Sequence, residues 1–310
     1  MKRMVLGLLL AVASLRCHAA VYYITVAGLG GEPDYEQRFT ANAKDLDKVY
    51  HGAAAAHVVT LTGNDATRAK VTDALNDVTR NAKPEDDLVL ILIGHGSFDG
   101  EEYKFNLIGP DLSARELAAL LDKIPAKRQL VVNTTSASGG SVTALQHPGR
   151  AVITATKTGT EKNATVFARY WLQAMQDPAA DTDKSGSVSA MEAFVYADRK
   201  TADFYSSQKR LATEHPVFED TGKGEAVRTI AQGSREGALL STLTVLRLDG
   251  GNAAVANDPA HQALLTKKEE LERKIDQLKY EKAAMEPGEY KQALTAALLE
   301  LAKVQQEMEK

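Results

Sequence analysis

Two short turns rich in small residues carry the chemistry that this chain offers. Gly94-His95-Gly96-Ser97 follows an apolar run, Leu88–Ile93, and Thr135-Ser136-Ala137-Ser138-Gly139-Gly140 follows a second one, Leu130–Thr134. Two buried strands that end at one edge of a sheet can set an imidazole beside a nucleophile, at the edge where open α/β folds place their sites. On that reading His95 is the candidate base and Ser136 the candidate nucleophile.

A third stretch offers metal chemistry. Asp181-Thr182-Asp183-Lys184-Ser185-Gly186-Ser187-Val188-Ser189-Ala190-Met191-Glu192 fits the twelve-residue EF-hand spacing. Asp181, Asp183 and Ser185 supply oxygens at positions 1, 3 and 5, and Gly186 permits the sharp turn. Ser187 offers its carbonyl, Ser189 can hold a water, and Glu192 can bind through both oxygens. The expected ion is Ca²⁺, at a modest affinity near ~10⁻⁴–10⁻³ M because only three carboxylates contribute. The plainer reading is a capped acidic turn between two helices. No partner loop is evident, since 219–225 is acidic and glycine-rich but lacks the spacing.

The elements that must position these groups follow from periodicity. Val21–Ala27, His57–Leu61, Leu88–Ile93, Leu130–Thr134 and Ala151–Thr156 read as strands, and Tyr103–Leu107 as a short hairpin arm. Helical spacing covers Tyr35–Tyr50, Ala66–Asn81, Asn163–Gln176 and Ala190–Ser206. Ser113 with Glu116 forms a capping box that opens another helix, stopped before Pro125. Alternating strands and helices imply a mostly parallel, doubly wound α/β sheet. Residues 207–258 are mixed.

From Ala263 the composition turns to Lys, Glu, Gln, Ala and Leu. Leu264, Leu271, Ile275 and Leu278 keep heptad spacing up to Pro287-Gly288, and Tyr290, Leu294, Ala297, Leu301, Val304 and Met308 continue after it. Pro-Gly between two such segments predicts a helical hairpin over 259–310, for docking or oligomerisation through 263–310 or for packing on its own domain. Lys268 and Lys282 fall on would-be apolar positions of the first seam.

Residues 1–20 read as a secretory signal, with Lys2 and Arg3 before an apolar Met4–Leu15 and small residues after it. The expected domains are therefore the signal at 1–20, an α/β domain at 21–258 containing the 181–192 loop, and the hairpin. An exported protein in the periplasm or outside the cell is expected, with no membrane span. The single cysteine, Cys17, leaves with the signal, so the mature chain has no thiol. Loss of Lys2, Arg3 and Arg16 takes three cations from a net charge of −4, leaving −7. An acidic surface of this kind gives no electrostatic reason to expect nucleic acid.

From about Val21 to Arg210 the chain resembles the caspase and legumain superfamily of cysteine peptidases, in its bacterial legumain-like branch. Val26-Ala27-Gly28, Gly94-His95-Gly96-Ser97 with Asp99, Ser138-Gly139 and Ile153-Thr154-Ala155-Thr156 carry the resemblance. It implies a caspase-like sandwich in which His95 is the catalytic histidine and Gly96 supplies an oxyanion N–H. Ser136 then stands in the cysteine's slot. It also makes Arg38 a candidate for holding the P1 side chain, against the plainer reading of a solvated helix arginine.

A hydroxyl is a far weaker acid than a thiol near pKa ~8.5, and it normally needs a base that a carboxylate holds and polarises. Asp99 is the nearest carboxylate in sequence, but it belongs to the following turn. Three functions stay open. A pseudopeptidase would bind peptide or protein in the cleft, a serine-type hydrolase would use Ser136 with His95, and a calcium-dependent assembly protein would rely on the loop and hairpin.

Overall fold

Continuous apolar strands need cover on both faces, and the fold is built around that need. The computed structural model describes residues 19–53, 56–231, 233–247 and, with interruptions between 263 and 281, the stretch up to 308. The expected signal thus lies outside the described residues, apart from Ala19 and Ala20. In chain order the first half comprises β1 (Val21–Ala27), α1 (Pro33–His51), β2 (Ala56–Leu61), α2 (Arg68–Asn81), β3 (Asp87–Ile93), β4 (Gly96–Phe98), β5 (Tyr103–Phe105), β6 (Leu112–Ser113) and α3 (Ala114–Leu121). The second half comprises β7 (Arg128–Asn133), α4 (Val142–Leu145), β8 (Arg150–Thr154), α5 (Phe167–Ala174), β9 (Ser187–Ser189), α6 (Ala190–Ser207), β10 (Val217–Glu219), α7 (Ala238–Thr242), β11 (Thr244–Arg247) and α8 (Pro287–Met308).

Six strands form the central sheet in the order β10-β8-β7-β3-β1-β2. All pair in parallel except β10, which runs antiparallel to β8 with Val217 opposite Thr154. The fold is thus a mixed α/β sandwich with a mostly parallel sheet and a C-terminal helix. Side chains on β3 alternate strictly. Leu88, Leu90 and Leu92 join a core with Val71, Leu75, Leu117 and Leu121, while Val89, Ile91 and Ile93 join one with Phe39, Leu46, Trp171 and Phe194. The two-residue period of a strand thus feeds both helical layers from one run. A smaller sheet, β4-β5-β6, hangs from the carboxyl end of β3.

One expectation needs correction, and two stretches gain detail. The helix expected from Asn163 begins only at Phe167, because the Glu214 carboxylate accepts the N–H groups of Val166 and Phe167 at 2.8 and 3.3 Å and so caps it there. The mixed region after 207 supplies an edge strand, β10, and a second short one, β11, which pairs with β9. At the boundary of the two C-terminal segments, Pro287 opens α8, a position that suits a residue without an N–H, and a 3-10 turn at Lys282–Ala284 precedes it. Ala297 and Val304 are buried on α8, and Leu271, Ile275 and Leu278 are buried in the preceding arm.

One buried residue sits uneasily in this sheet. Thr25, in the middle of β1, is 1% exposed, and its Oγ1 has no hydrogen-bond partner among the described residues. Burying an unpaired hydroxyl costs roughly 1–3 kcal/mol. Thr25→Val keeps the shape and removes that cost, so it is expected to raise stability by about 1 kcal/mol in chemical denaturation. A loss of stability would show that the hydroxyl has a partner.

Candidate functional site

β3 and β7 pair in register, with Leu92 opposite Asn133. His95 and Ser136 each lie three residues further on, so both emerge at the carboxyl edge on neighbouring strands. Sequence periodicity had pointed to this juxtaposition. The finer geometry differs from a catalytic dyad. Ser136 is 2% exposed, and its Oγ donates to the Gly96 carbonyl at 3.0 Å while accepting the Gly96 N–H at 3.1 Å. One peptide residue thus engages both the donor and an acceptor site of the hydroxyl. A Cβ on Gly96 would lie 2.6 Å from the Ser136 carbonyl and 2.5 Å from the Tyr103 ring, so only glycine permits this approach.

His95 is half-buried and stands edge-on to two aromatic rings, Tyr35 at 4.9 Å and Phe39 at 5.2 Å between centroids. Burial pushes its pKa below the ordinary imidazole value, and the Arg38 charge adds to this. A backbone hydrogen bond to Gly30 and the charge of Glu32 oppose the shift. The ring is therefore neutral at pH 7, the form a base requires. Asp99 gives it no support. Its carboxylate accepts the N–H groups of Glu101 and Glu102 at 2.9 and 2.8 Å and closes the β4–β5 turn.

A buried network of oxygens holds the Ser136 turn. The Tyr103 hydroxyl meets Asn133 Oδ1 at 3.2 Å and Thr135 Oγ1 at 2.5 Å, and Asn133 Nδ2 donates to Ser141 Oγ at 3.1 Å. Ser138 Oγ and Thr156 Oγ1 lie 3.1 Å apart, and Thr156 Oγ1 accepts the Gly139 N–H at 2.9 Å. Ala137 takes the left-handed conformation, with φ of 55°, which is costly for a residue with a Cβ. Its N–H donates to the Glu161 carbonyl at 2.8 Å, and its own carbonyl accepts Gly140 N–H at 3.0 Å.

Glu161 was invisible to motif reading, as was its partner His215. Glu161 Oε1 lies 2.6 Å from His215 Nδ1, and Oε2 accepts the backbone N–H groups of Lys157 and His215 at 2.9 and 3.2 Å. His215 comes two residues before β10, a strand that pattern reading did not find, so no signal marked it. Next to it, burial pushes the Glu214 carboxyl up to about 7, opposed by hydrogen bonds from Val166, Tyr205 and Phe167. A cavity of about 130 Å³ opens between α1 and α5. Arg38, Phe39, Asn42, Thr134, Thr165 and Arg169 line it. The Arg38 guanidinium also sits 4.7 Å over the Tyr35 ring.

Far from this edge, the structure gathers the acidic residues of the 181–192 loop. One oxygen each from Asp181, Asp183 and Glu192 lies within 4.8 Å of the others. Asp181 accepts the N–H groups of Ser185 and Gly186, both at 3.0 Å, and Gly186 has a φ of 82°. Ser185 Oγ donates to the Ser187 carbonyl at 3.2 Å. Glu192 accepts from Thr182 N–H at 2.8 Å and from the Ser189 hydroxyl at 2.8 Å, which also caps α6. Burial raises the Asp181 pKa, and Asp183 and Glu192 add to it. The helical frame departs from the expected motif. α5 ends at Ala174, a 3-10 turn at Pro178–Ala180 leads into the loop, and β9 pairs with β11 where a second loop would stand.

No protein-family profile and no curated protein matches the chain. Solved structures similar to it include protein GSU0716 from Geobacter sulfurreducens, at 16% identity over 67% of this chain and 94% of that one, with a TM-score of 0.47. The Drosophila initiator caspase Dronc is similar at 12% identity over 67% and 81% of the two chains, with a TM-score of 0.42. Caspase-1 from Spodoptera frugiperda is similar at 11% identity over 70% and 91%, with a TM-score of 0.46. These likenesses concern the path of the chain and carry no chemistry.

The pairing of Ser136 with Gly96 has a measurable consequence. Ser136→Ala leaves the half-buried Gly96 N–H and carbonyl without that partner, so it is expected to lower stability by about 1–2 kcal/mol in urea unfolding. A change within ±0.5 kcal/mol, the usual range for surface substitutions, would mean that the hydroxyl faces solvent.

Proposed function

We propose that this chain is an exported homologue of the caspase and legumain peptidases whose cleft binds peptide without cleaving it. One observation carries the reading. The Ser136 hydroxyl is paired on both sides with Gly96, so the N–H that would stabilise an oxyanion is engaged and the hydroxyl's proton is given to the Gly96 carbonyl. A mature chain without a thiol leaves no stronger nucleophile at that position. Neutral His95 beside an inert hydroxyl is a surface for binding rather than for proton transfer.

The bound ligand is an extended peptide or protein segment. Arg38 and Arg169 face the cavity at the mouth of the cleft, and two guanidiniums favour an acidic side chain there. The 181–192 loop binds Ca²⁺ through Asp181, Asp183, Ser185, the Ser187 carbonyl and Glu192, with Ser189 holding a water. Its support is the ligand spacing together with the three converging carboxylates. Burial and, after it, the neighbouring Asp183 and Glu192 raise the Asp181 pKa, and a bound cation would offset both. Export follows from the leader sequence at 1–20, and docking or self-association falls to the hairpin at 259–310.

A fluorophosphonate probe and a peptide library test the cleft. The mature protein is expected to take no label and to cleave nothing. It should bind peptides with an acidic residue by fluorescence anisotropy, and Arg38→Ala should weaken that binding about tenfold, the effect of a lost charge-assisted contact worth ~1.4 kcal/mol. Robust turnover that Ser136→Ala abolishes would replace this reading with the serine hydrolase.

Calcium is tested by melting. A ligand that binds only the folded state stabilises it by RT ln(1 + [L]/Kd), so ~10 mM calcium at a Kd of ~0.1 mM adds about 2.7 kcal/mol. The melting temperature of chelator-stripped protein should rise by several degrees. Glu192→Gln should abolish the shift, and Lys184→Ala should leave it intact. No shift and no heat of binding would reduce the loop to an acidic turn.

A further inference from the structure

Two lysines interrupt the apolar seam of the C-terminal hairpin, and the structure gives each a different use. Lys282 lies 5.6 Å from the centroid of the Tyr290 ring, a cation–π contact between the 3-10 turn and the start of α8. Lys268 reaches outside the hairpin. Its ammonium donates to the backbone carbonyl of Ser185, 83 residues earlier in the chain and the fifth residue of the acidic loop. Leu271, Ile275 and Leu278, three, seven and ten residues further on, are all buried. Lys268 therefore heads the stripe on which the first arm packs.

The contact falls on a peptide unit that the loop itself uses. The N–H of the Ser185–Gly186 peptide donates to Asp181 Oδ2 at 3.0 Å, while its carbonyl receives Lys268. An ammonium from a distant segment is thus held one peptide plane away from the first ligand carboxylate. That separation is comparable to the ~8 Å screening length of physiological salt, so charges placed at the two positions feel each other. A dication among Asp181, Asp183 and Glu192 would repel the ammonium. It would also draw the Ser185 hydroxyl and the Ser187 carbonyl inward, and those two groups now bond to each other at 3.2 Å. The peptide that Lys268 holds lies between them.

We infer that the acidic loop is the docking surface for the first arm of the hairpin, that Lys268 is its anchor there, and that a divalent cation in the loop competes with that anchor. The inference rests on the calcium reading proposed above. Calcium then loosens the arm, and by thermodynamic reciprocity a docked arm weakens calcium binding by the same factor. A lysine at an apolar heptad position, costly for the seam alone, is accounted for by this second contact.

The test uses the full mature chain and calcium alone. Titration calorimetry on wild type, Lys268→Gln and Lys282→Gln measures the affinity, and hydrogen exchange of residues 263–281 reports docking. The expected result is calcium binding tightened on the order of fivefold by Lys268→Gln, with Lys282→Gln matching wild type. Exchange in the arm should rise on adding calcium to wild type, and should be raised already in Lys268→Gln without it. Calcium binding of equal strength in all three proteins, with exchange unchanged, would overturn the competition and leave the metal site standing. No calcium binding in any of them would overturn the metal reading and this inference together.

Discussion

The site depends on how closely two backbone turns approach each other. β3 and β7 are parallel neighbours in register, so the turns that follow them meet at the same height. At that meeting point Gly96 has no side chain, and the Ser136 hydroxyl lies against both polar groups of its backbone. A larger residue at 96 would push the turns apart. A free hydroxyl at 136 would leave a half-buried N–H and carbonyl without this partner, at a cost of about 1–2 kcal/mol. The state of the cleft follows from this one contact.

Everything around the contact acts to hold it. Tyr103, Asn133, Thr135, Ser138, Ser141 and Thr156 form a buried network whose hydroxyls and amides bond to one another. Such a network is rigid when fully satisfied, because moving one member breaks several bonds in a low-dielectric interior. Ala137 is held in a left-handed conformation by Glu161, which in turn is clasped by His215 from the opposite flank of the sheet. The turn is thus tied to β3 on one side and to β10 on the other.

The acidic loop shows the same economy of parts on the other side of the molecule. Ser189 and Glu192 cap α6 and also belong to the set of candidate ligands. β9 carries the loop's apolar residue, Val188, into the main core and pairs with β11. The loop is therefore mounted on the α/β body, whereas Lys268 joins it to the hairpin. A change of charge in the loop would act on both.

By itself the sequence determined the elements whose signal is local. The apolar runs of β1 and β3, the capping box at Ser113, and the small-residue turns after Ile93 and Thr134 come from short-range sterics and hydrogen bonding, which a pattern of residues records. The mostly parallel sheet followed from their order. Tertiary structure alone decided where hydroxyls and carboxylates point. Ser136 turns to Gly96, Asp99 closes a hairpin turn, and Glu161 finds His215 across 54 residues of chain. The late start of α5 likewise depends on Glu214, 47 positions after the helix's first residue, and the edge strand β10 on its pairing with β8. Such contacts pair residues that are distant in sequence and near only once the chain has packed. No local period or spacing encodes them.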